Sequence, residues 1–137
     1  KYDQPPAVKL ASKNNLAIVC GHYEGVDARV EKLVDNVFSI GDFILTGGEI
    51  PALIIIDSVV RIIPGSINPK SQIDESFEKG LLEYPQFTRP KSFRGKSVPK
   101  ILLSGNHQKI VKWRQIESKK RTHKFRPDLI INSKWGK

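Results

Sequence analysis

Arg61 is the side chain best suited to chemistry by its type and setting. It lies in Pro51–Ile63, P-A-L-I-I-I-D-S-V-V-R-I-I, a run interrupted only by Asp57, Ser58 and Arg61 itself. A guanidinium turned into a ligand cleft offsets negative charge as it develops on a reacting oxygen. The same group four residues after Asp57 on a helix makes a local ion pair, worth on the order of tenths of a kcal/mol when exposed. Spacing alone favours the ion pair.

Other residues could share in a site. Gly21, Gly25, Gly41, Gly47 and Gly48 all fall at or just beyond the ends of expected strands. In open α/β sheets that edge receives ligands, and glycine lets a backbone come close to them. The spacing of these five fits neither a dinucleotide fingerprint nor a phosphate loop, so ordinary turns explain them equally well. Asp74 and Glu75 are adjacent acids in a polar stretch, readable as a general base or as solvated surface charge. His22, His107 and His123 show no metal-ligand spacing, so no metal site is expected.

These residues need elements to hold them. Leu16–Cys20, L-A-I-V-C, is an all-apolar run bounded by turn residues, as in a strand buried on both faces of a parallel sheet. Val37–Ile40 and Asp42–Leu45 read as short extended pieces around Gly41. Thr46-Gly47-Gly48-Glu49 is a turn, and Pro51 suits the first turn of a helix running to about Ile63. Leu53, Ile56, Val60 and Ile63 form the expected apolar stripe of that helix. Pro5 and Pro6 argue against an earlier helix start, leaving Ala7–Lys13 as a short one, and Asp27 is placed to cap a helix over about Ala28–Val34. Strand, helix, strand, helix implies an α/β layer with a mostly parallel sheet.

The second half reads differently. Ser66–Glu75 is polar and aperiodic, a linker or mobile loop, and Gly80–Pro90 is irregular, with Tyr84 and Phe87. After the apolar run Val98–Leu103, Ser104 or Asn106 caps a helix carrying Ile110 and Trp113 at helical spacing. Lys1–Thr88 holds 8 basic and 12 acidic residues, net −4, whereas Arg89–Lys137 holds 15 basic and 2 acidic, net +13. Such a division points the second half at a polyanion.

Bulk composition sets the remaining bounds. With 137 residues and 39% of them hydrophobic, the chain can bury a core. No apolar run reaches the roughly 18 residues of a membrane span, and the N-terminus has no signal-peptide pattern. The lone Cys20 excludes an internal disulfide and fits a reducing, cytoplasmic setting. No methionine is present, position 1 included, so the chain is expected to be a later portion of a longer protein.

Five ordered blocks then carry a resemblance: C-G-H-Y-E-G-V-D (Cys20–Asp27), S-I-G-D-F-I-L-T-G-G-E-I-P-A (Ser39–Ala52), D-S-V-V-R-I-I-P-G (Asp57–Gly65), G-L-L-E-Y-P-Q-F-T-R-P (Gly80–Pro90) and L-L-S-G-N-H-Q-K-I-V-K-W-R (Leu102–Arg114). Together they resemble the bacterial tRNA (guanine-N1)-methyltransferase family, TrmD. The resemblance implies transfer of a methyl group from S-adenosylmethionine to N1 of the guanosine 3′-adjacent to the anticodon. It also implies a SPOUT-type fold, a trefoil-knotted parallel sheet present here in part, followed by a small, mostly helical C-terminal domain. The implied division is 1–66 for the cofactor-binding knot, 67–79 for a flexible linker and 80–137 for a basic tRNA-binding domain. Active sites would form across a homodimer.

Matched position by position, the resemblance implies cofactor loops containing Gly21, Tyr23 and Gly25, then Ser39, Ile40 and Gly41. Asp42, Phe43, Ile44, Leu45, Gly47 and Gly48 complete them. Arg61 matches the family's catalytic arginine. Where the family pattern has an aspartate general base directly before Ser-Phe, this chain has Glu75, with Asp74 one place earlier. The family also has a leading section before the equivalent of Lys1, with early strands and a further cofactor-loop segment. Two readings follow: part of a complete methyltransferase, or a non-catalytic RNA-binding fragment of a degenerate one.

Overall fold

The computed structural model describes residues 1–68, 76, 77 and 80–131. The chain divides into two compact units, Lys1–Pro69 and Lys70–Lys137.

The first unit is built on two helices. Helix α1 spans Gln4–Ala11, so Pro5 and Pro6 begin a helix instead of preventing one. A first-turn backbone N–H has no intrahelical acceptor, and proline loses nothing there. Asp27 caps a single 3₁₀ turn, Ala28–Lys32, by accepting the Arg29 N–H at 2.9 Å. Helix α2, Glu49–Val60, starts directly after Gly48. It packs on α1 through Leu10, Ile55 and Val59, with Tyr2, Ile18 and Phe38 against that cluster.

Two expectations need correction here. The buried face of α2 is Ala52, Ile55 and Val59, while the expected stripe of Leu53, Ile56, Val60 and Ile63 is exposed. A helix apolar on nearly every face carries no phase by which to choose its buried side. The mostly parallel sheet is also not formed among the described residues. Leu16–Cys20, Val37–Ile40 and Asp42–Leu45 are in no ladder, and the one sheet lies in the second unit. Strand character requires a neighbouring chain to exchange backbone hydrogen bonds, which composition cannot supply. Val19 and Val37 are accordingly 60% and 70% exposed.

In the second unit, β1 (Ser92–Phe93) and β2 (Lys96–Ser97) form an antiparallel hairpin with Ser92 opposite Ser97. Its two turn residues, Arg94 and Gly95, have φ of 48° and 76°, the pattern of a type I′ turn that matches strand twist. A 3₁₀ turn, Lys100–Leu103, leads to α3, His107–Phe125. Between the two alternative caps, Asn106 takes the role: its side chain accepts the Lys109 N–H at 3.0 Å. A short helix α4, Pro127–Ile131, follows.

Irregular residues 80–87 lie along α3 and are tied to it by polar contacts. The Leu82 N–H donates to Thr122 Oγ1 at 2.8 Å, and Ser118 Oγ donates to the Leu82 carbonyl at 2.6 Å.

Candidate functional site

Two of the glycine loops meet at the N-terminal end of α2. The Gly48 N–H donates to the Gly21 carbonyl at 2.9 Å, and His22 forms isolated bridges to both Gly25 and Gly47. Across the same junction His22 Nε2 lies 3.3 Å from Glu49 Oε1. This close approach explains the glycine at 48, where a Cβ would stand 3.0 Å from Cys20 Cα and 3.1 Å from the Gly21 nitrogen. Gly25 has a different reason: its φ of +114° is one that side-chain-bearing residues rarely adopt. Nothing lies within 4 Å of where its Cβ would be, so the backbone there is open to approach. Tyr23 is 96% exposed beside these loops, its ring centroid 5.1 Å from that of His22.

The third loop is anchored from α2 by an aromatic residue that sequence reasoning passed over. The Tyr2 N–H donates to the Ser39 carbonyl at 2.8 Å, and the Tyr2 hydroxyl lies 2.6 Å from Ser58 Oγ. Ser58 Oγ already donates to the Ile55 carbonyl at 2.9 Å, so the tyrosine O–H is the donor to serine. Ser39 Oγ accepts the Gly41 N–H at 3.3 Å and folds the loop on itself. Ile40 is half-buried, whereas Asp42, Phe43 and Leu45 are exposed and Ile44 is 98% so.

Arg61 lies elsewhere. It is the C-terminal cap residue of α2, exposed, with its N–H donating to the Asp57 carbonyl at 3.1 Å. At 1.5 Å per residue, the helix holds Gly48 and Arg61 roughly 20 Å apart. The glycine loops and the arginine therefore occupy opposite ends of one helix. Asp74 and Glu75 lie outside the described residues. An open apolar groove of about 500 Å³ runs between Leu16, Ile18, Val59 and Ile63. None of the residues that the resemblance assigns to cofactor loops lines it. Among the described residues no group of three metal-ligating side chains comes together, and no helix is long and apolar enough to cross a membrane.

The second unit presents cations next to aromatic rings. The Arg114 guanidinium lies 4.6 Å from the Tyr84 ring centroid, and Phe87 and Trp113 have centroids 6.3 Å apart. Arg114 Nε is buried and has no hydrogen-bond partner among the described residues. The chain's Gly95-Lys96-Ser97 triplet falls in the hairpin with no glycine at the matching earlier position, Pro90, and is not a phosphate loop. Arg126 pairs with Asp128 at 2.6 Å, and hydrogen bonding to that carboxylate raises the guanidinium pKa.

Comparison with known proteins gives the family. The family model described as tRNA (Guanine-1)-methyltransferase TrmD matches residues 1–132. A tRNA (guanine-N(1)-)-methyltransferase of Geobacillus kaustophilus is 55% identical over 132 residues, covering 95% of this chain and 54% of that protein. The protein of the same name from Limosilactobacillus fermentum is 51% identical over 135 residues, covering 98% and 54%. One from a Sulfurihydrogenibium species is 54% identical over 134 residues, covering 97% and 53%. The chain thus spans about half the length of the curated relatives it matches.

Proposed function

This chain belongs to the tRNA (guanine-1)-methyltransferase family, TrmD, and from that premise we propose that it works as part of an enzyme that methylates N1 of the guanosine 3′-adjacent to the tRNA anticodon. The observation that supports this most directly is the meeting of Gly21 and Gly48, which gathers two of the resemblance's cofactor loops into one open backbone surface. S-adenosylmethionine, bound there, supplies an electrophilic methyl group on a sulfonium.

The chain's own residues then take distinct roles. Glu75, or Asp74 beside it, accepts the N1 proton and so frees a nitrogen lone pair for attack. Arg61 offsets the negative charge that this deprotonation pushes onto O6. Glutamate for aspartate keeps the carboxylate and lengthens its reach by one methylene. Residues 1–66 serve as the cofactor-binding part of a SPOUT-type knotted sheet, 67–79 as linker and 80–137 as the tRNA-binding part, in a cytoplasmic homodimer. The net charge of +13 over Arg89–Lys137 favours tRNA at the second unit.

The test is methyl transfer by the full-length protein to unmodified tRNA with G after the anticodon, read as N1-methylguanine in the nucleoside digest. Arg61→Ala is expected to lose most turnover and still bind tRNA. Wild-type protein that forms no N1-methylguanine would overturn the reading.

A further inference from the structure

Between Glu83 and Glu117 the chain contains no acidic residue and eight basic ones: Arg89, Lys91, Arg94, Lys96, Lys100, Lys109, Lys112 and Arg114. Within this stretch residues 86–90 and the hairpin enclose an open groove of about 470 Å³. Phe87, Phe93, Arg89 and Lys96 line it, with Thr88 and Ser97 supplying hydroxyls. Phe87 is 45% exposed and Phe93 61%. Scattered exposed apolar residues are ordinary, but here two rings line one groove together with Arg89 and Lys96.

We propose that this groove is a subsite for one unpaired nucleotide of RNA, with a base stacked on Phe93 or Phe87 and its phosphates held by Arg89 and Lys96. The volume is in the range of small-ligand sites, so it suits one nucleotide. A duplex keeps its base faces hidden, and only a single strand or loop can offer one for stacking. The rings are already placed. Phe87 rests near Trp113, with 6.3 Å between centroids, and Phe93 is set by the hairpin register opposite Lys96. The Arg94 guanidinium lies 5.3 Å from the Phe93 ring centroid, so positive charge stands beside the stacking surface. No carboxylate lines the groove; the Glu83 carboxylate touches it only through Gln86, whose Nε2 donates to Glu83 Oε1. The subsite takes from the proposed function only that the polyanion is RNA.

Fluorescence anisotropy of the full chain with a labelled ten-nucleotide uridine oligomer, and separately with tRNA, tests it. Phe93→Leu is expected to weaken oligomer binding about fivefold or more with its salt dependence unchanged, since stacking carries no charge. Phe93→Tyr keeps the ring and is expected to bind as wild type. Lys96→Gln, at an exposed position where the substitution leaves the backbone pairing with Phe93 in place, is expected to lower the salt slope by about one. Equal binding of Phe93→Leu and wild type, or no wild-type binding to the oligomer, overturns the subsite. If tRNA still binds in either case, the methyltransferase reading survives. If the oligomer binds in a Phe93-dependent way and tRNA does not bind, the subsite stands and the tRNA reading fails.

Discussion

The Thr122 hydroxyl joins two segments forty residues apart: it accepts the Leu82 N–H at 2.8 Å and donates to the Ser118 carbonyl at 2.8 Å. Thr122 is 0% exposed. Replacing it by valine keeps the shape and strands the Leu82 N–H without an acceptor. An unsatisfied buried donor costs about 1–3 kcal/mol. Thr122→Val is therefore expected to lower the unfolding free energy by that amount and so unfold at lower urea concentration, and Thr122→Ser, which keeps the hydroxyl, to recover much of the loss. Denaturation followed by circular dichroism measures both.

Two glycines of the proposed cofactor loops are expected to fail for different reasons when changed to alanine. At Gly48 the added Cβ meets backbone atoms of Cys20 and Gly21 at 3.0 and 3.1 Å, so one loop must move off the other. Overpacking of this kind costs about 1–3 kcal/mol. At Gly25 the Cβ meets nothing, and the cost is the φ of +114°, about 1–3 kcal/mol of backbone strain. Calorimetry with S-adenosylmethionine on the full-length protein should separate them. Gly48→Ala is expected to weaken binding by more than its loss of stability explains, because it displaces the junction itself.

What the sequence made legible was mostly local. Asp27 and Asn106 could be read as caps because an N-cap acts within three residues. The start of α2 could be read because Gly47-Gly48 and Pro51 punctuate it. Leu16–Cys20 could not be settled by the same means, since a strand depends on a partner distant in sequence. The hairpin escaped notice because each strand is two residues long, too short for alternation to show. In the candidate site, the ordered blocks singled out the glycines whose loops meet at Gly21 and Gly48, which their spacing did not. The groove at Phe93 and Lys96 arises from a turn that brings residues of ordinary surface type together. Tyr2 was missed because its role is a contact with Ser58, 56 residues away.

Asp27 makes a prediction about acid. Hydrogen bonds from the Arg29 side chain, and then from its backbone N–H, hold the Asp27 carboxyl below the usual carboxylate range. A group whose pKa is depressed by folding stabilises the fold above its unfolded pKa and loses that contribution as pH falls through the folded value. Carboxyl-carbon NMR should therefore give Asp27 a midpoint under about 3.9, the unperturbed value for aspartate. Asp27→Asn keeps a capping oxygen and cannot ionise. It is expected to preserve the 3₁₀ turn at neutral pH and to flatten the corresponding part of the acid-unfolding limb.

The separation of Gly48 and Arg61 along α2 bears on how a site could be assembled. Within one chain the helix holds them roughly 20 Å apart, on opposite ends. If both serve one reaction, as the proposed function requires, the simplest arrangement draws the cofactor loops from one protomer and the arginine from its partner. Two inactive variants then test it: Gly48→Val, which blocks the loop junction, and Arg61→Ala. Each alone is expected to be nearly inactive. Mixed, unfolded and refolded together as full-length proteins, they should recover about a quarter of wild-type turnover, because half the symmetric dimers are hybrids and each hybrid holds one intact composite site. If glycine loops and arginine act within a single chain, every hybrid site carries a lesion and no activity returns. The outcome distinguishes the two arrangements by presence or absence of turnover, without needing an accurate value for either variant.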